Sequence, residues 1–305
     1  MSKNFFEINN VTFAIGGMNK VTDANIHIKN EGEIICILGP SGIGKTTILR
    51  TIAGLEKINK GQIILKDKII SSDKTHLEPE KRNIALSFQE NSLFPHYTVD
   101  KNIHLGLKKN SIKDKSIDSN EIIKILNISN ILNKYPHQIS AGEAQRASLA
   151  RSLISQPDLL LLDEPLSNVD QSFKEDIQVA LKQILKKSKI STIVVTHDSY
   201  EAFYLGDKCA LILNGEVKQF DDPYNVYHFP NSVEVVNFLR KKGIGVNVHY
   251  IPIHYHPFYQ NLNFKKGYLP ETEKYYEEAL SLPIFPDLKL KDQKYIVNCL
   301  KEALK

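Results

Sequence analysis

The sequence predicts an α/β fold: a parallel sheet with a phosphate-binding loop at one edge. Three observations predict it. Gly39-Pro40-Ser41-Gly42-Ile43-Gly44-Lys45-Thr46-Thr47 spells G-x-x-x-x-G-K-[ST] between an apolar run at 33–38 and a helical pattern at 48–53 closed by Gly54. Leu159-Leu160-Leu161-Leu162 is an all-apolar run ending in Asp163-Glu164-Pro165. Ser191-Thr192-Ile193-Val194-Val195-Thr196 is a second strand-like run, ending at His197-Asp198. Short runs without polar alternation suit strands covered on both faces, as in parallel sheets.

Taken in order, each element implies chemistry. The glycines of 39–44 let backbone N–H groups turn toward phosphate oxygens, and the following helix N-terminus adds partial positive charge. Lys45 is expected to reach the β- and γ-phosphates, and the Thr46 hydroxyl to ligate Mg²⁺. A nucleoside triphosphate is therefore the expected ligand. Cys36, in the strand feeding the loop, reads as a small buried apolar residue. Asp163 closes a strand at the sheet edge where ligands bind, and is expected to hold Mg²⁺. Glu164 is expected to take a proton from the attacking water. His197 ends a parallel strand at the same edge, where its imidazole could hold the γ-phosphate and the water in register with Glu164.

Further motifs narrow the class. Ile139-Ser140-Ala141-Gly142-Glu143-Ala144-Gln145-Arg146 resembles the signature sequence of ABC ATPases. Gln89, in Ser87-Phe88-Gln89-Glu90, resembles the Q-loop glutamine of that family. Leu166-Ser167-Asn168-Val169-Asp170 resembles its D-loop, and His197 its switch histidine. All occur in the family's order over residues 1–240. The resemblance implies a P-loop NTPase of the ABC ATPase type, with a helical subdomain at about 90–155. It also implies a head-to-tail homodimer that holds two ATP molecules. Ser140, Ala141, Gly142 and Glu143 would then act on the partner's nucleotide, Asp170 would link the two sites, and Gln89 would sense the metal, making the Mg²⁺ set Thr46, Gln89 and Asp163.

Two departures from the family pattern stand out. Alanine occupies 141 and glutamate 143, where glycine and glutamine are usual; the added methyl at 141 narrows backbone geometry beside a phosphate. The family's adenine-stacking aromatic aligns with Ile15, so base stacking is either weak or supplied by Phe13, two residues earlier on the same strand face.

Leu93-Phe94-Pro95-His96-Tyr97-Thr98-Val99 and 215–223 resemble the importer branch, closest to ATPases serving ferric iron, thiamine, polyamine or sulfate uptake. That likeness implies membrane permease subunits as partners and a small solute as cargo, with a lean toward ferric iron. Substrate choice resides in those other subunits.

From about residue 241 the composition shifts: seven of 13 tyrosines and five of 13 prolines lie in 241–305. Residues 243–254 and 273–286 resemble the C-terminal end of PLP-dependent sugar aminotransferases of the DegT/DnrJ type, as in pseudaminic acid synthesis. A short α+β fragment is implied, ending in a helix with Ile296, Cys299, Leu300, Ala303 and Leu304 on one face. The Schiff-base lysine of such enzymes lies on a large upstream domain, so neither PLP nor transaminase activity is expected. His249, His254 and His256 alternate along a strand without acidic or cysteine company, and no metal is expected there.

Composition limits the alternatives. The net charge is +4 over 305 residues, too weak to argue for nucleic acid. Three cysteines, Cys36, Cys209 and Cys299, are too scattered for a zinc site or disulfide framework. The first residues lack the apolar core of a signal peptide, and no run is long enough to cross a bilayer. A cytoplasmic protein, peripheral on the inner membrane face, is expected. A soluble, non-transport ABC ATPase, a binding-only ATPase, and an accessory fragment of nucleotide-sugar amination are the rival readings.

Overall fold

The computed structural model describes residues 4–16, 18–87, 93–105, 118–167 and 171–242, with Lys265, Gly267 and Pro270. The chain divides into two compact units, Met1–Val246 and Asn247–Lys305. The strands and helices between Phe6 and Lys241 all belong to the first. Gln89, Asp170, Cys299 and the tail histidines lie outside the described residues.

The first unit opens with an antiparallel sheet of four strands in the order β2-β1-β4-β5. These are β1 (Phe6–Ile15), β2 (Met18–Ile28), β4 (Gln62–Leu65) and β5 (Lys68–Ser72), with β3 belonging to the second sheet. In β1, Phe6, Ile8, Val11 and Phe13 are fully buried. Strict alternation would place residue 10, not 11, on the inner face. Asn10 absorbs the extra residue at φ 51°, and the pairing with β2 shifts register between Ile8 and Val11. Asparagine tolerates that left-handed backbone better than most residues, so the bulge brings Val11 and Phe13 back onto the core side.

The second sheet has the order β10-β9-β3-β8-β7-β6. It comprises β3 (Ile34–Leu38), β6 (Ile84–Ser87), β7 (Leu159–Asp163), β8 (Ser191–Thr196), β9 (Lys208–Leu213) and β10 (Glu216–Asp221). All neighbours are parallel except β10, which returns antiparallel beside β9. Asn214 and Gly215, at φ 52° and 77°, make that turn in the left-handed conformations a two-residue hairpin loop needs.

The apolar runs serve both faces. Ile35, Ile37, Leu159 and Leu161 join a core shared with the antiparallel sheet and helix α1 (Lys45–Ala53). Cys36, Leu38, Leu160 and Leu162 point the other way. There they meet α4 (Ala141–Ile154), α5 (Gln171–Ser188), α6 (Ser199–Leu205) and α8 (Val233–Lys241). Cys36 and Cys209 are neighbours across β3 and β9, both buried as free thiols, and burial pushes the Cys209 thiol up to about 12. These cysteines are packing residues.

In the helical region, α2 (Val99–His104) and α3 (Ser119–Ile125) pack on α4. Buried Asn102 organises the loop before α2. Its side-chain amide donates to the carbonyls of Phe94, Tyr97 and Thr98 and accepts from the Phe94 N–H. After β10, α7 (Pro223–His228) leads to α8. No helix among the described residues is long and apolar enough to cross a membrane.

Candidate nucleotide site

Parallel register fixes the site. Leu38 pairs with Thr196, and Asp163 with Val195, so the carboxyl ends of β3, β7 and β8 lie side by side. The loop 39–44, the acids 163–164 and His197 therefore emerge at one sheet edge, where open α/β sheets hold ligands. A cavity of about 420 Å³ opens there, lined by Ser41, Lys45, Thr46, Thr47, Glu164 and His197 together with Lys20.

The loop enters α1 through Gly44 at φ 110°, a backbone that a larger residue adopts only with strain. No side chain caps this helix, so its first N–H groups face outward toward the loop. Gly39 is required for another reason: a Cβ there would lie 2.5 Å from the Ile212 carbonyl oxygen. The Lys45 ammonium donates to the carbonyls of Gly39 and Pro40, both at 2.9 Å. Burial holds it below the ordinary lysine range, while Glu164 and Asp163 oppose that shift.

Asp163 is 4% exposed, and burial pushes its carboxyl above the ordinary range. A hydrogen bond from the Thr46 hydroxyl opposes the rise, the charge of Glu164 adds to it, and Lys45 lowers it. A hydroxyl and a carboxylate in contact are hard oxygen donors, the kind Mg²⁺ takes in small number beside substrate phosphates. Among the described residues, no group of three or more His, Cys, Asp or Glu side chains could hold a metal.

Glu164 stands at φ 48°, a left-handed backbone that costs a non-glycine residue about 1–3 kcal/mol. Its surroundings hold it there. The Glu164 N–H donates to the Val195 carbonyl at 2.8 Å. Its own carbonyl accepts from the Gln145 side chain at 3.0 Å and from the Ser167 N–H and hydroxyl. The twist turns the carboxylate to His197, whose Nδ1 lies 3.0 Å from Glu164 Oε1.

The turn carrying His197 is braced from beneath. Thr196 Oγ1 donates to Glu201 Oε2 at 2.7 Å and accepts from the Asp198 N–H at 3.0 Å. Asp198 caps α6 through the N–H groups of Tyr200 and Glu201, and Lys174 pairs with it at 2.6 Å.

Ser140 to Glu143 do not line this cavity. Ser140 is the N-cap of α4, with its hydroxyl accepting from the Glu143 N–H while the Glu143 carboxylate accepts from the Ser140 N–H. Glutamate at 143 thus completes a capping box, and these hydrogen bonds hold its carboxyl below the ordinary range. Ala141 is the first helical residue of α4 and Gly142 the second. Further along, Gln145 ties the same helix to Glu164.

One expectation is corrected. Phe13 cannot stack on adenine, because its ring is fully buried against the β2 partner Val21 in the sheet core. Three residues escaped sequence reading. Lys20 and Glu201 belong to no glycine or acid motif, and Arg82 caps the far end of α1 from thirty residues away. Only the fold places Lys20 at the cavity and Glu201 beneath the turn that carries His197.

Comparison with known proteins bears on the family. Residues 21–167 match the ABC transporter family model, and residues 224–301 match the DegT/DnrJ/EryC1/StrS aminotransferase family model. The second match begins on α7, inside the first unit. The Fe(3+) ions import ATP-binding protein FbpC of Fusobacterium nucleatum is 37% identical over 242 residues, 77% of this chain and 64% of that protein. The present chain therefore spans less than two thirds of that relative's length. The sn-glycerol-3-phosphate import ATP-binding protein UgpC of Vibrio cholerae is 33% identical over 270 residues, covering 88% of this chain and 70% of the relative. Among solved structures, the ATP-binding cassette MJ0796, a dimer in a post-hydrolysis state bound to ADP and Pi, superposes with a TM-score of 0.61. It is 27% identical, and the alignment covers 72% of this chain and 98% of that one. The chain belongs to the ABC transporter family of ATP-binding proteins.

Proposed function

We propose that this chain binds and hydrolyses ATP to power an importer of a small solute, acting as a homodimer on membrane permease subunits. The supporting observation is the 3.0 Å approach of His197 to Glu164 in a cavity also lined by Lys45 and Thr46. A phosphate-binding loop alone would serve any nucleotide-binding protein. A carboxylate turned toward a histidine beside it adds the means to activate water.

In this reading the phosphates lie on the N–H groups of residues 41–47, with Lys45 neutralising the β- and γ-phosphates. Thr46 and Asp163, with Gln89 by family resemblance, would hold Mg²⁺, which supplies positive charge against the phosphates. Glu164 accepts a proton as the water oxygen attacks the γ-phosphorus. The bond to the β–γ bridging oxygen breaks, ADP leaves, and the proton passes on to the phosphate product. His197, with Nδ1 on Glu164, keeps Nε2 for the γ-phosphate side. By family resemblance, Ser140, Ala141, Gly142 and Glu143 serve the partner's nucleotide, and Asp170 joins the two sites.

The relatives' names differ in cargo while their identities to this chain are similar, so cargo follows the permease and binding subunits. We favour ferric iron, named for the Fusobacterium nucleatum relative. The chain acts in the cytoplasm, peripheral on the inner membrane face. We assign no transaminase activity to residues 241–305 and expect no PLP absorbance band from the purified chain.

Phosphate release by the full chain tests this reading. Release should require Mg²⁺, and His197→Ala should slow it by about 10²-fold, the scale of a positioned acid–base group, with ATP still bound. Undiminished release by that variant would remove His197 from the chemistry.

A further inference from the structure

Lys20 is a second lysine at this cavity, and no motif accounts for it. In the β1–β2 ladder Phe13 pairs with Val21 and Ala14 with Asn19, leaving Lys20 as an extra residue between the two pairs. Such a bulge re-aims a side chain, and bulges gather beside active sites. This one is seated on the β9–β10 turn: the Thr22 N–H donates to the Gly215 carbonyl at 2.8 Å, and a Cβ on Gly215 would lie 3.0 Å from the Lys20 carbonyl oxygen.

The stem lies across the phosphate-binding loop. A Cβ on Gly44 would fall 2.6 Å from Lys20 Cβ and 3.5 Å from Cγ, so Gly44 leaves room for this lysine as well as for its own turn. Lys20 is half-buried and lines the same cavity as Thr46, Thr47 and Glu164. Among the described residues no carboxylate pairs with it, whereas Lys45 is engaged on the loop carbonyls. Meanwhile β1 offers no ring for the base, since Phe13 is buried and position 15 is isoleucine.

We propose that Lys20 is a second nucleotide-binding cation, contacting the phosphates of a nucleoside di- or triphosphate and supplying affinity that base stacking does not. This rests on the ATP-site reading above. Because the contact is to phosphate, it acts alike on ADP, ATP and GTP.

Calorimetric titration of the full chain with ADP, ATP and GTP tests it, using Lys20→Met, Lys20→Arg and Lys45→Met. Lys20→Met, which keeps the stem, should weaken all three nucleotides by about tenfold, the scale of one charge-assisted hydrogen bond. The loss should shrink at high salt, and Lys20→Arg should stay within about threefold of the parent. Thermal unfolding of nucleotide-free Lys20→Met at the parent temperature would verify its fold. If Lys45→Met loses binding while Lys20→Met stays within about twofold of the parent, this proposal is wrong and the ATP site stands. If the parent binds no nucleotide, the site reading fails and takes this proposal with it.

Discussion

Glu201 buries a carboxyl group beneath the turn that carries His197, and its protonation is tied to stability. It is 3% exposed, and its Oε1 has no hydrogen-bond partner among the described residues. Burial pushes it from 4.5 to about 7; Thr196, Lys174 and His197 oppose the shift and Asp198 adds to it. Because the folded value is raised, its stabilising contribution is complete below about pH 4.5 and is lost as pH rises toward 7. The loss amounts to at most about 3 kcal/mol at 1.36 kcal/mol per pKa unit. Glu201→Gln resembles the protonated form, so its melting temperature should gain on the parent's steadily from pH 5 to 8. Parallel melting curves across that range would show that Glu201 stays charged when buried. At this scale the motif residues were legible, since glycine, lysine and acid patterns state their chemistry directly. Glu201 was not, because its meaning lies in a contact to Thr196 that only the fold makes. Phe13 misled because alternation assigns a face but not what covers it.

At the scale of elements, helix α1 shows how far the loop depends on distant support. Its last turn is held by Arg82, 3% exposed, whose guanidinium donates to the carbonyls of Thr51, Ile52 and Leu77 and to the Ser71 hydroxyl. Burial lowers this guanidinium to about 10, so it stays charged at neutral pH, where a cation at a helix C-terminus is favourable. Gly54, at φ 91°, makes room, because a Cβ there would lie 2.5 Å from Arg82 Nε. Arg82→Ala should cost about 3 kcal/mol or more by leaving buried carbonyls unpaired. Gly54→Ala should cost less in the Arg82→Ala background than alone, since only backbone strain remains. Urea unfolding of the two single variants and the double variant checks both values; strict additivity would deny the contact. Strands β3 and β7 were readable because double-sided burial favours unbroken apolar runs, and β8 because its β-branched Thr192, Ile193, Val194, Val195 and Thr196 suit a strand. Arg82 was not, since one arginine in a loop looks the same in sequence whether solvated or capping a helix.

Across the whole first unit, a nucleotide pocket is joined through α4 to a signature-like segment that does not line it. Ser140 and Glu143 cap α4 without lining the cavity, while Gln145 on the same helix holds the Glu164 backbone. In the proposed dimer each chain carries one half of a site its partner completes, an expectation that comes from the family resemblance and that no single chain displays. We propose that Glu164 turns bound ATP over. The most direct measurement is phosphate release by full-length parent and Glu164→Gln with Mg²⁺ and ATP, with molar mass by light scattering on the same samples. Glu164→Gln should bind ATP, release phosphate at least about 10²-fold more slowly, and accumulate as an ATP-dependent dimer. Parent-like release by Glu164→Gln would contradict the claim, placing the base elsewhere.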